Sequence, residues 1–158
     1  MGSQITAKAR SILLDIGQSP IVLKKEVDGF VLNRLQYALL AEAFRLVEDG
    51  VCDPADVDTA VNSGLGLRWA FLGPFETIDL NAPGGVVDYC ERYAPAILRV
   101  VRTQDNSRDW KPETIAKIDA AMRDSEQVPK EDMAARIAWR NDRLLQLAAM
   151  KQSLKKTE

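Results

Sequence analysis

Apolar residues recur at helical spacing along most of this chain. Between Thr6 and Ile16 the residues Ala7, Ala9, Ile12, Leu13 and Ile16 share one side, and Gly17 suits a C-cap. Pro20 to Lys25 is a short β-branched run that predicts a strand, the one good strand candidate in the chain. One strand cannot make a sheet. A lone helix–strand unit therefore predicts the end of a larger α/β domain lying upstream. From Phe30 to Asp49 the pattern is apolar nearly all round: Phe30, Val31, Leu32, Leu35, Leu39, Leu40, Ala43, Phe44 and Val47. A helix without a broad polar face belongs at the centre of a domain. Asp28 is its expected N-cap, and Gly50 its end.

Asp53-Pro54 pairs an N-cap with proline at N1 and predicts a helix to about Asn62, after which Gly64 and Gly66 break the chain. A short helix is expected from Phe75 to Leu80. A longer one follows from Val86 to about Arg102, with Pro95 inside it as a kink or split. Gln104 to Trp110 reads as a polar loop, and a helix runs from Glu113 to Asp124. Pro129 precedes the last helix, Lys130 to about Leu154. Its stripe of Met133, Ile137, Leu144, Leu147 and Ala148 matches a helix lying on a core. Beyond Lys25 the chain reads as all-α, with no 20–50-residue repeat.

The 158 residues suffice for one domain with a core, and 46% hydrophobic with 28% charged residues is ordinary for a globular protein. A net charge of −2 argues against a nucleic-acid partner. The chain has no histidine, which excludes a Ser-His-Asp triad, a Cys-His pair and a histidine-containing zinc site within it; no metal is expected. Cys52 and Cys90 form neither a CxxC pair nor a disulfide framework, so a reducing, cytoplasmic setting is expected. No stretch approaches a transmembrane helix and no leader-like h-region is visible, so no membrane partner is expected. Met1-Gly2-Ser3 reads as an expression scar.

Two segments carry candidate chemistry. Asn33 heads an apolar stripe continued by Tyr37, Leu40 and Phe44. Its carboxamide must find partners: a substrate oxygen, a catalytic side chain of another domain, or, more blandly, nearby backbone. Arg68 follows Gly64 and Gly66 among aromatic residues. Its guanidinium can grip a carboxylate bidentately or simply stack on a ring. The two glycines lack the preceding strand and the remaining motif of a phosphate loop. Glu42 and Arg45 are spaced for an i, i+3 ion pair. Asp56, Asp58 and Asp79 read as solvated, the cysteines as inert, and Lys151, Lys155 and Lys156 as a weak basic tail.

The runs GFVLNRLQYALLAEAFRLVEDGV (29–51) and DPADVDTAVNSGLGLRWAFLGPFETIDL (53–80) resemble the C-terminal domain of the L-3-hydroxyacyl-CoA dehydrogenase family, in particular its lambda-crystallin or L-gulonate 3-dehydrogenase branch. The likeness runs from about Thr6 to Trp139. It implies a helical dimerisation domain of 6-phosphogluconate-dehydrogenase-like type over residues 27–158, with residues 4–26 a remnant of a Rossmann domain. That other domain would carry the NAD loop and the catalytic histidine. The implied activity is NAD-dependent oxidation of a small 3-hydroxyacid or a hydroxyacyl-CoA, by a homodimer, with this chain alone inactive. By the same resemblance Asn33 supports the catalytic histidine and Arg68 binds substrate, while no cofactor residue lies in this chain. The alternative is a standalone dimerisation or crystallin-like structural module without catalysis.

Overall fold

A computed structural model of the chain describes residues 2–104, 107–124 and 132–155. They form the helices α1 (Gly2–Asp15), α2 (Phe30–Glu48), α3 (Pro54–Thr59), α4 (Gly66–Trp69), α5 (Pro74–Asp79), α6 (Gly85–Val101), α7 (Pro112–Arg123) and α8 (Met133–Lys155), with a π-helical segment over Ala60–Leu65. No strand occurs among the described residues, so the architecture is all-α. The chain divides into two units, Met1–Tyr37 and Ala38–Glu158.

In the first unit α1 begins four residues before the expected Thr6, because nothing between Gly2 and Gln4 stops a helix; the Thr6 hydroxyl donates to the Gly2 carbonyl at 2.9 Å. Gly17 ends it as foreseen. With φ at +80° its N–H reaches the Leu14 carbonyl and that of Gln18 the Leu13 carbonyl, both at 2.9 Å, a Schellman closure. The strand expected over Pro20–Lys25 does not form, since the described residues offer it no second strand to pair with. Nor does Asp28 cap α2. The chain turns instead through Gly29 at φ +75° and Phe30 at φ +49°, with the Phe30 N–H on the Val27 carbonyl at 3.1 Å. A left-handed phenylalanine costs about 1–2 kcal/mol.

The second unit holds the packed part. From Leu39 onward α2 is half-buried, and Val47 is only 4% exposed. Pro54, Thr77, Ala82 and Thr114 are the other buried residues among those described. Pro54 and Pro74 start their helices at N1. The Asp53 N–H is taken by the Asp56 carboxylate at 3.2 Å and the Gly73 N–H by Glu76 at 2.7 Å.

Three expectations need correction here. Gly64 and Gly66 do not break the chain: α3, the π-helical segment and α4 follow without interruption. Each glycine costs a helix only about 1 kcal/mol. The Gly66 N–H bonds to Val61, five residues back, and a Cβ at Gly66 would lie 3.0 Å from that carbonyl. Pro95 does not split α6, which stays one helix; the Glu91 carbonyl that loses its donor lies on an exposed residue. Finally, α8 does not lie on a core of its own chain. Asp132 caps it, accepting from Ala135 N–H at 2.8 Å, and Arg136 Nη1 donates to the Met122 carbonyl at 3.1 Å. Beyond that, among the described residues, no other helix runs alongside it. Met133, Ile137 and Leu144 remain 48%, 43% and 57% exposed. The expected start at Lys130 after Pro129, and Lys156 of the basic tail, lie outside the described residues.

The accessible surface is 12797 Å². A compact monomer of 17.5 kDa exposes about 7,900 Å². Even two separately compact pieces of the two units' lengths would expose only about 9,200 Å² together. Leu67, Phe71, Phe75, Leu80, Val87 and Leu145 are all well exposed. Among the described residues no helix is long and apolar enough to cross a membrane.

Candidate functional site

Asn33 belongs to the first unit, in the opening turn of α2, and Arg68 to the second, in α4. Asn33 is half-buried, yet its carboxamide has no hydrogen-bond partner among the described residues. The bland expectation, a side chain satisfied by nearby backbone, is therefore not what the structure contains. The tight turn through Gly29 lies against it: a Cβ on Gly29 would come 3.7 Å from Asn33 Cβ. Leu32 and Leu35 beside it are strongly exposed. What this arrangement supplies is one acceptor and two donors on an uncovered apolar helix end.

Arg68 is exposed and likewise lacks an ion pair, hydrogen bond or ring contact among the described residues. The π-helical segment widens the turn just before it. Such segments recur at functional sites. Arg68 stands among exposed Leu67, Trp69, Phe71 and Phe75. A guanidinium free of carboxylates and flanked by apolar surface suits an anionic ligand that brings its own negative charge.

The most extensive polar network is one that sequence spacing revealed only in part. The expected Glu42–Arg45 pair forms, Arg45 Nε donating to Glu42 Oε2 at 2.8 Å. This hydrogen bond, more than any other effect, holds the Glu42 carboxyl below its usual range. The segment before α7 then folds back on α2. Arg108 Nη1 meets Asp49 at 2.7 Å, Lys111 Nζ meets Glu48 at 2.5 Å, and the Trp110 ring stacks on Phe44 at 4.0 Å with planes 3° apart. Arg108 holds the Asp49 carboxyl low, and Glu48 raises the Lys111 amine. The signal in the sequence was a tryptophan closing a polar loop. An aromatic residue there needs a surface to cover. Every cation in this network is matched by a carboxylate, so it is structural.

Two of the concavities in the second unit draw on more than one helix. One is an open apolar cavity of about 100 Å³ lined by Leu40, Phe44, Val47, Val57, Ile118 and Met122. The other is a polar groove of about 650 Å³ where Lys117 pairs with Asp53 at 3.3 Å. Neither presents a nucleophile beside a base. No group of three His, Cys, Asp or Glu side chains suits a metal among the described residues.

A dinucleotide does not fit the residues present. The Gly64–Gly66 pair sits inside continuous helix rather than between a strand and a helix, and the Gly66 amide is spent on Val61.

These features define a helical domain that carries Asn33 and Arg68 without partners among the described residues. The family profile described as 3-hydroxyacyl-CoA dehydrogenase, C-terminal domain, matches residues 29–112, and the chain belongs to that family. Among its relatives, lambda-crystallin of Oryctolagus cuniculus is 42% identical over 147 residues, 93% of this chain and 46% of its own length. The lambda-crystallin homolog of Bos taurus is 46% identical over 144 residues, 91% and 44% respectively. A solved structure, 5-formyl-3-hydroxy-2-methylpyridine 4-carboxylic acid 5-dehydrogenase, described as an NAD+-dependent dismutase, superposes with a TM-score of 0.70 at 31% identity, over 96% of this chain and 48% of that one. The chain thus spans about half the length of these relatives.

Proposed function

We propose that this chain is the C-terminal, substrate-closing and dimerising domain of an NAD-dependent 3-hydroxyacid dehydrogenase of L-gulonate 3-dehydrogenase type, working in the cytoplasm. The observation that carries the reading is the family match over 29–112 together with relatives of which this chain corresponds to about half. On this reading a Rossmann domain, of which residues 4–26 are the closing segment and residues 1–3 a scar, holds the dinucleotide and the acid–base histidine. That division of labour accords with a chain that has no histidine. Alone, the chain is inactive.

Its own share of the chemistry is positioning and charge. The unpartnered Asn33 carboxamide orients the histidine and the substrate oxygen where negative charge develops. The unpaired Arg68 holds the substrate carboxylate by two parallel hydrogen bonds, which favours a sugar acid over a neutral alcohol. The exposed apolar faces of the second unit support a homodimer.

The test uses the protein in which this chain follows its dinucleotide-binding domain. Arg68→Lys keeps the charge but loses the fork. It should raise KM for L-gulonate roughly tenfold with kcat little changed. Asn33→Ala should lower kcat by about 100-fold. Faster turnover of 3-hydroxybutyryl-CoA than of L-gulonate would move the substrate to the hydroxyacyl-CoA class. NAD reduction above blank by the 158-residue chain alone would overturn the assignment of catalysis to another domain.

A further inference from the structure

We propose that Gly66, with the π-helical segment it closes, is the positioning residue for Arg68: it turns the guanidinium off the buried side of its helix and out to where a carboxylate can reach it. This rests on the reading of Arg68 as the carboxylate clamp and deepens it by naming what aims the clamp.

The side that a regular helix would bury can be worked out from Pro54, the buried first residue of α3. At about 100° per residue, Val57, Val61 and Leu65 fall within about 60° of Pro54. All three are half-buried, as that geometry requires. Arg68 would come next on the same side, about 40° from Pro54 and between Val57 and Val61. Ala70 would stand about 160° away, facing out. The structure has the reverse: Arg68 is exposed, while Gly66 and Ala70 are half-buried.

The π-helical segment over Ala60–Leu65 is the cause. A hydrogen bond spanning five residues takes up one residue more than an α-helical turn. Every residue beyond it is set back by about one position, or about 100°. That setback brings Gly66 into line with Val61 and Leu65 and carries Arg68 to the outer side. A regular helix would instead press a lone guanidinium between Val57 and Val61, where burial without a partner charge is costly.

Gly66 is what allows the wide turn to close. Its N–H donates to the Val61 carbonyl, and a Cβ would lie 3.0 Å from that same oxygen. Gly64 has open space at the corresponding point, so the need for glycine is specific to position 66. Beyond the turn, the backbone carrying Arg68 is tied on both sides. The Ala70 N–H donates to the Gly66 carbonyl at 2.9 Å, and the Leu72 N–H to the Arg68 carbonyl at 3.0 Å. The direction set at Gly66 therefore passes to Arg68 with little slack. A misaimed fork keeps its charge but loses one of its two parallel hydrogen bonds to a carboxylate.

The experiment uses the protein in which this chain follows its dinucleotide-binding domain. Gly66→Ala should raise KM for L-gulonate roughly tenfold with kcat little changed. Gly64→Ala should leave both close to wild type. Removal of Gly64 is the rescue: the Gly66 N–H and the Val61 carbonyl then pair four residues apart, as in an ordinary α-helix that tolerates a Cβ, and Arg68 keeps its outward direction. Removal of Gly64 alone should hold KM within about twofold of wild type, and in the Gly66→Ala background it should bring KM back to that range. A structural defect would instead lower kcat through the folded fraction and leave KM alone. Several results overturn the positioning role while the clamp reading stands, provided Arg68→Lys raises KM. These are an unchanged KM in Gly66→Ala, a loss confined to kcat, an equal rise in Gly64→Ala, or failure of the rescue. If Gly66→Ala does not fold, removal of Gly64 alone decides, and a tenfold rise in its KM overturns the proposal. An unchanged KM in Arg68→Lys overturns both readings.

Discussion

Trp110 is the residue whose loss should most weaken the second unit for the least change in charge. Its ring lies flat on Phe44 at 4.0 Å and is 48% exposed, so about half of its surface is removed from water. A buried tryptophan hides roughly 200 Å², so the covered half is about 100 Å². At about 25 cal/mol per Å² this is worth about 2.5 kcal/mol, reduced to about 2 when residual compactness of the unfolded chain is counted. Ring stacking adds about 1 kcal/mol. Trp110→Ala should therefore cost about 3 kcal/mol. The ion pairs on either side, Arg108–Asp49 and Lys111–Glu48, join side chains that reach solvent. Such pairs contribute about 0–1 kcal/mol each.

The assay is urea unfolding followed by helical circular dichroism at one fixed protein concentration, because self-association couples to stability. Trp110→Ala should lower the midpoint by about 1–2 M. Trp110→Phe keeps a coplanar ring and should lose about 1 kcal/mol. Arg108→Ala and Lys111→Ala should each fall within about 1 kcal/mol of wild type. Were Lys111→Ala to cost as much as Trp110→Ala, or Trp110→Ala less than about 1 kcal/mol, the segment before α7 would be held by charge and this reasoning would fail.

The Glu42 and Asp49 carboxyls are held below their usual values of 4.5 and 3.8, so the stability they contribute is complete above those values and is lost as pH falls through the lowered ones. Unfolding midpoints should drop on acidification below about pH 4.5, and Glu42→Gln should flatten that slope. Gly64 has open space where a Cβ would go and no left-handed φ, so Gly64→Ala should raise stability by about 0.5–1 kcal/mol in thermal unfolding. Gly66→Ala meets the Val61 carbonyl at 3.0 Å and should gain less than Gly64→Ala or lose outright. At Gly50 the backbone sits at φ +70°, and Gly50→Ala should cost about 1–2 kcal/mol by the same assay.

The helices were legible because their signals are local. Gly17 and Gly50 close their helices as composition foretold, and Pro54, Pro74 and Pro112 stand at N1, where a missing N–H costs nothing. The errors share a different cause. Pro20–Lys25 has strand composition, but a strand is a relation between segments, and the described residues offer it no partner strand. The α8 stripe was correctly located and wrongly given a home, because periodicity reports that a face is to be covered and says nothing about by what. The π-helical turn at Ala60–Leu65 was invisible, since a five-residue hydrogen bond leaves no compositional mark beyond the glycine that tolerates it. Asn33 and Arg68 are candidates that the sequence nominates; that neither has a partner among the described residues is visible only in the structure.

α2 ties these points together. Its sequence is apolar nearly all round, which requires cover on every side. From Leu39 to Val47 the chain's own second unit supplies part of that cover; from Phe30 to Tyr37 the side chains stay exposed, apart from the half-buried Asn33. The uncovered half is the half that carries Asn33. On the proposed reading, whatever body covers Phe30, Leu32 and Leu35 also brings the groups that Asn33 must bond, because a carboxamide shut between apolar surfaces without partners would cost about 1–3 kcal/mol. Completing the hydrophobic contact and completing the polar site are then one event. That accounts for a helix whose exposed end looks like a packing error when the chain is considered alone.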